Sequence, residues 1–179
     1  MNLMPALDLT EYTVPLSRTP GLLRAAVEGV PDEWLDRRHA HDVVSPREAV
    51  AHLLVCEAEE SWVERIRHLL DPNHVFSAGP YAGLSDADLA GSHTIPVLLG
   101  AFEAYRSQSL RDLESLGLTQ DDLGKCWDDE LGTPTVGNLL ATWVAHDLYH
   151  MGQIFKSYSV PYVDLIGPYQ RFLNLPHFN

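Results

Sequence analysis

The stretch "PTVGNLLATWVAHDLYHMGQIFKSYSVP", residues 134–161, reads as one long helix. It begins near Thr133–Thr135 and runs to about Tyr158, ahead of Pro161. Three-four spacing places Val136, Leu139, Trp143, His146, His150 and Gln153 on one stripe, the pattern of a helix with one face in a core. Leu or Ile is the ordinary occupant of such positions. Two histidines four residues apart take the place of packing residues instead.

Three more segments carry the same periodicity. A first helix is expected from about Ser17 to Val30, with Leu23, Ala26, Val27 and Val30 inward and Pro31 as its stop. In the loop that follows, Trp34 and Leu35 cover one end of the core. A second helix opens on "SPRE", Ser45–Glu48, a capping box with Pro46 at the first helical position. It is expected to continue to about Leu70, with Ala49, His52, Cys56, Glu59, Val63, Ile66 and Leu70 on its inner stripe. A third runs from about Ile95 to Leu116 behind Thr94, with Gly117 as its stop. The long connection from about Asp71 to Thr94 holds "SDAD", a weaker capping signal for a short helix near Ser85–Ala90. The tail holds one short helix near Pro168–Leu173. Four amphipathic helices without a convincing strand predict an all-α four-helix bundle, one domain over residues 1–179.

Composition narrows the function. The chain has 179 residues, 45% hydrophobic and 21% charged, and a formal net charge of −13. That charge speaks against direct nucleic-acid binding, which needs Lys and Arg to displace counterions, and against an anionic membrane surface. No apolar run approaches the ~18 residues of a membrane span. The N-terminal "MNLMPALDLTEY" lacks the basic segment and long apolar run of a signal peptide. Two cysteines in no CxxC pattern, Cys56 and Cys126, fit a reducing cytoplasm.

An i, i+4 histidine pair lies on one helix face and lets two imidazoles reach one ion. Alone the motif carries little. His52 in a core phase of another helix strengthens it, because each buried imidazole left unpartnered costs about 1–3 kcal/mol. A shared metal satisfies one nitrogen on every ring. Three imidazoles suit Zn²⁺, Ni²⁺, Fe²⁺ or Cu²⁺ and leave coordination positions open, as in catalytic sites.

Among the neighbours, Glu59 is the acid placed to orient His52 or to act as a general base, with Glu57 and Glu60 as substitutes. Asp147 points about 100° away from His146 and reads as a rim or surface carboxylate. Gln153 either bonds a ligand or packs as a satisfied amide. Trp143 walls the pocket or packs. Cys56 reads as a small buried hydrophobe rather than a fourth ligand. Gly152 reads as a point of close helix packing. His39 and His41 read as solvated loop residues.

"AHDLYHMGQI" at 145–154 and "AVAHLL" at 49–54 together resemble the DinB-like superfamily (DNA-damage-inducible proteins), and the resemblance extends over most of the chain. It implies an up-down-down-up four-helix bundle and a homodimer of stress-response type. It also implies a divalent metal, Zn or Ni ahead of Fe or Mn, held by His52, His146 and His150. Related enzymes include mycothiol-dependent maleylpyruvate isomerases and bacillithiol transferases. The implied function is a thiol-dependent S-transferase or isomerase acting on a small molecule, with a low-molecular-weight thiol as cosubstrate. A non-catalytic metal-binding dimer is the alternative, and a metal-dependent hydrolase ranks below it. A carboxylate-bridged di-iron bundle would need a Glu-x-x-His motif, which the sequence lacks.

Overall fold

The computed structural model describes residues 8–38, 43–59, 61–76, 79–126 and 133–172, and its helices fall close to the expected segments. They are α1 (Thr10–Val27), α2 (Asp32–Leu35), α3 (Pro46–Ala58), α4 (Trp62–Leu70), α5 (Asp86–Ser92), α6 (Ile95–Ser115) and α7 (Val136–Ser159). A 3-10 turn at Gly167–Phe172 forms the short helical tail. No strand occurs among the described residues, only an isolated bridge between Cys126 and Thr135. No helix among them is long and apolar enough to cross a membrane. His39, His41, Glu60 and the end of the tail lie outside the described residues.

The caps form as the sequence dictates. Ser45 Oγ accepts from Glu48 N at 3.2 Å, and Ser45 N donates to Glu48 Oε2 at 2.8 Å. Thr135 and Asn138 close an equivalent box at the start of α7. Ser85 caps α5 by accepting from Asp88 N. Gly117, at φ +57, follows α6 in the left-handed conformation that favours glycine.

Two boundaries differ from expectation. The second segment is two helices, broken after Ala58. At the break the Glu59 carboxylate turns to the long connection, where it accepts from Gly79 N at 2.8 Å and from Tyr81 N. A Cβ on Gly79 would sit 2.5 Å from Ala58 O, so only glycine allows this approach. The first helix begins at Thr10, not near Ser17, and contains Pro15 and Pro20. Each proline removes one intrahelical donor. Pro20 leaves Leu16 O without its helical partner, and Arg106 Nη1 of α6 donates to that oxygen at 2.9 Å.

The topology follows from which residues meet. Thr19 meets Asp147 and Tyr158 reaches Ala26, so α1 and α7 run parallel. Arg106 meets Leu16 and Arg24 meets Glu103, so α1 and α6 are antiparallel. His52 stacks near His150 and Trp62 on Trp143, so α3–α4 and α7 are antiparallel. This is the up-down-down-up arrangement, and the long connection between α4 and α6 returns the chain to start a parallel helix.

The apolar core falls into two clusters. One gathers Leu23, Val27, Leu53, Leu54, Leu98, Phe102 and Ile154; the other gathers Leu16, Trp62, Ile66, Leu113, Leu140 and Trp143. Between them, at mid-height on every helix, lies a polar layer.

Candidate metal centre

The buried run of α7 is rotated from the expected stripe. Val136, Trp143, His150 and Gln153 of that stripe are buried, and so are Leu140, Asp147, Met151, Ile154 and Ser157, while Leu139 and His146 flank the line. The rotation arises because α7 packs against α3 on one side and α1 on the other. Its buried face is therefore wider than a single stripe. Gly152 faces open space, so close helix packing does not account for it.

On the α3 side the structure brings His52, His146 and His150 together, one potential ligand atom of each lying within 4.8 Å of the others. His52 Nε2 faces His146 Nε2 at 3.1 Å. The ring of His150 lies 4.5 Å from both others, centroid to centroid. His150 is only 7% exposed. The Nδ1 atoms of His146 and His150 are buried without a hydrogen-bond partner. Trp62 meets His146 edge-on at 5.3 Å and stacks on Trp143 at 6.2 Å, walling the cluster from the lower core. Tyr149 lies edge-on to His150 at 5.1 Å, and Gln153 Nε2 donates to its hydroxyl at 3.3 Å.

The carboxylate that reaches this cluster is Asp86, not Glu59. Asp86 Oδ2 lies 2.9 Å from His52 Nδ1. A carboxylate can only accept, so Nδ1 carries the proton and Nε2 is turned toward the other rings. Glu59 is committed to the Gly79–Tyr81 turn. Asp86 is the first residue of α5, and the "SDAD" cap was the sequence signal that pointed to its position. Cys56, one turn beyond His52, does not pack as a simple hydrophobe. Its Sγ lies 3.5 Å from His52 Nε2 and 3.9 Å from His146 Nε2.

Electrostatics divide the three rings. The hydrogen bond to Asp86, then that to Cys56, holds the His52 pKa up to about 10. Burial, then the neighbouring His52 charge, pushes His146 down to about 4. Burial, then His146 and His52, does the same to His150, also to about 4. Two rings are therefore held neutral at pH 7, the form a metal requires.

On the other side of α7 a second cluster forms, which sequence reasoning missed. Arg106 is 1% exposed, Asp147 2% and Glu57 2%. Arg106 Nη1 and Nη2 donate to Asp147 Oδ2 and Oδ1 at 2.6 and 3.0 Å, and Nη2 donates to Glu57 Oε2 at 3.0 Å. Thr19 Oγ1 donates to Asp147 Oδ2 at 2.7 Å. Burial opposes the guanidinium charge, but Glu57 and Asp147 outweigh it and keep Arg106 cationic. Asp147 is thus no rim carboxylate; it is the centre of an ion cluster joining α1, α3, α6 and α7.

A cleft of about 800 Å³ lies elsewhere, lined by the end of α1, α2, the start of α3 and the α5–α6 junction. Its arginines are already paired, Arg47 with Asp32 and Asp36, and Arg38 with Glu48.

Residues 16–154 match the DinB superfamily. Among solved structures, YfiT from Bacillus subtilis is similar over 93% of this chain and 94% of its own, with a TM-score of 0.67 and 16% identity. It is described as a probable metal-dependent hydrolase with an unusual four-helix bundle topology. At that identity the likeness shows the fold alone. No curated protein matches the chain. The match over most of the chain shows that it belongs to the DinB superfamily.

Proposed function

We propose that this DinB-superfamily chain is a divalent-metal-dependent enzyme acting on a small molecule, with His52, His146 and His150 as the protein ligands. The observation that carries the reading is the convergence of three imidazoles, one potential ligand atom of each lying within 4.8 Å of the others. Three imidazole nitrogens suit Zn²⁺ or Ni²⁺ ahead of harder ions, with the His52 proton displaced as the ion binds.

A divalent cation held there supplies a Lewis acid that ionises a bound water or thiol near neutral pH. The protein's own residues prepare the donors. Asp86 fixes the tautomer of His52 and turns Nε2 inward. Burial of His146 and His150 keeps both rings deprotonated. Trp62 and Trp143 hold His146 against rotation and exclude water from below.

The preferred reaction class is transfer of a thiol to an electrophilic small molecule, or thiol-dependent isomerisation of one. A hydrolase, with water in place of the thiol, is the second reading; the description of YfiT favours it. Elemental analysis of untagged protein tests the premise. Wild type should carry a stoichiometric divalent metal, and the His146→Ala/His150→Ala double variant none. Equal metal content in both would overturn the site. Turnover assays with small thiols and with hydrolysable esters or amides then separate the two classes. Inactivity in every assay, with chelation lowering the melting temperature sharply, would identify the metal as a structural staple instead.

A further inference from the structure

We infer that Cys56 supplies a fourth, sulfur donor to the metal held by His52, His146 and His150, making the centre an N₃S site. The inference rests on the three-histidine reading and extends it to a residue outside that set.

Three observations support it. Cys56 Sγ approaches His52 Nε2 at 3.5 Å and His146 Nε2 at 3.9 Å, while those two nitrogens lie 3.1 Å apart. The three atoms therefore form a small triangle of unlike donors. Zn–N lengths of ~2.0–2.1 Å and a Zn–S length of ~2.3 Å give tetrahedral edges of ~3.3 Å between nitrogens and ~3.6 Å between nitrogen and sulfur. The observed separations lie within a few tenths of an ångström of those edges. Second, His150 is 7% exposed, its ring packs 4.5 Å from each of the other two, and its Nδ1 has no partner. The third ring therefore closes on the same point as the other two donors. Third, the sequence places Cys56 one helical turn after His52 on the same helix, so one rigid element presents both donors.

The bonding change is simple. The metal–sulfur bond forms as the Cys56 S–H bond breaks, and the proton passes to solvent with no change of oxidation state. Sulfur softens the donor set and favours Zn²⁺, Co²⁺ or Ni²⁺ over Mg²⁺, Ca²⁺ or Mn²⁺. It also fills the fourth tetrahedral position, so a substrate thiol or water must either expand the coordination or displace the Cys56 thiolate. Cys56 would then be an internal thiolate, holding the place of the external nucleophile until substrate arrives.

Cobalt reports on sulfur ligation directly. Metal-free full-length protein, titrated with Co²⁺, should develop ligand-field bands together with a near-ultraviolet sulfur-to-cobalt charge-transfer band. Cys56→Ser should lose the charge-transfer band and bind Co²⁺ at least ~10-fold more weakly. Cys126→Ser, at an exposed cysteine, should change neither. Alkylation gives an independent readout: with metal bound only Cys126 should react readily, and a chelator should expose Cys56. If cobalt binds with ligand-field bands but no sulfur band, and Cys56→Ser keeps wild-type affinity, the N₃S assignment fails and the three-histidine centre stands. If wild type takes up no cobalt, both fail.

Discussion

Two polar clusters sit at the same level of this bundle, on opposite sides of α7, and they are built on opposite principles. The Arg106 cluster joins α1, α3, α6 and α7 and commits four of its five guanidinium N–H groups, with Arg106 Nε and Glu57 Oε1 left over. The histidine cluster takes its three rings from α3 and α7, with Asp86 of α5 and Trp62 of α4 against them. One pairs opposite charges across helices, as a structural fastening does. The other brings like donor groups to one point, as a ligand site does. Burial alone would not have told them apart, since both interrupt an apolar core. What distinguishes them is charge: Arg106 is held between two opposite charges, whereas the histidine cluster turns three imidazoles toward one another.

The largest effect expected from breaking this contrast is Arg106→Ala. It strands two buried carboxylates and the Leu16 carbonyl that Pro20 leaves open, and should cost about 3–5 kcal/mol. Urea denaturation would measure it; a loss under 1 kcal/mol would mean that the network is not a fastening. His150→Ala in the metal-free protein is the counterpart and should cost less, because it leaves a packing defect but no unpaired buried charge.

The fold was legible in the sequence to the extent that local chemistry fixes it. The Ser45–Glu48 box, the Thr94–Pro96 start of α6 and the stop before Pro161 all depend on neighbours within one turn. The start of α1 was not legible, because Pro15 and Pro20 argue against a helix and only a distant arginine supplies one of the missing donors. The break after Ala58 depends on Gly79 fitting against the Ala58 carbonyl from across the long connection. The candidate cluster was legible in the His146–His150 pair, whose spacing is local, and not in the carboxylates around it. Asp86 reaches His52 from across a long connection. Asp147 reads as a rim or surface carboxylate and Arg106 draws no notice, since a buried charge is explained only by partners on other helices.

The next effect separates support from ligation. Asp86→Asn keeps an acceptor near His52 Nδ1 but removes the charge that fixes the proton there. Metal affinity should fall about 10–100-fold. Stability of the metal-free protein should fall by less than in Arg106→Ala, because the His52–Asp86 pair is only part-buried, with the Asp86 side chain 31% exposed. Competition with a chromophoric chelator would give the affinity, and thermal melting the stability. If stability fell as far as in Arg106→Ala and affinity held, Asp86 would belong with the fastening rather than with the metal centre.

The smallest effect probes how complete the Arg106 network is. Thr19→Val preserves shape and removes the hydroxyl that donates to Asp147 Oδ2 at 2.7 Å. That oxygen keeps the Arg106 Nη1 donor at 2.6 Å, so the carboxylate is not stranded. The loss should be about 1 kcal/mol, the net worth of one hydrogen bond, rather than the larger penalty of an unpaired charge. Metal affinity should be unchanged, since Asp147 and His146 leave α7 on different sides. A loss near that of Arg106→Ala would mean that Asp147 is held mainly from α1. A fall in metal affinity would mean that the two clusters are coupled through the turn of α7 that carries both.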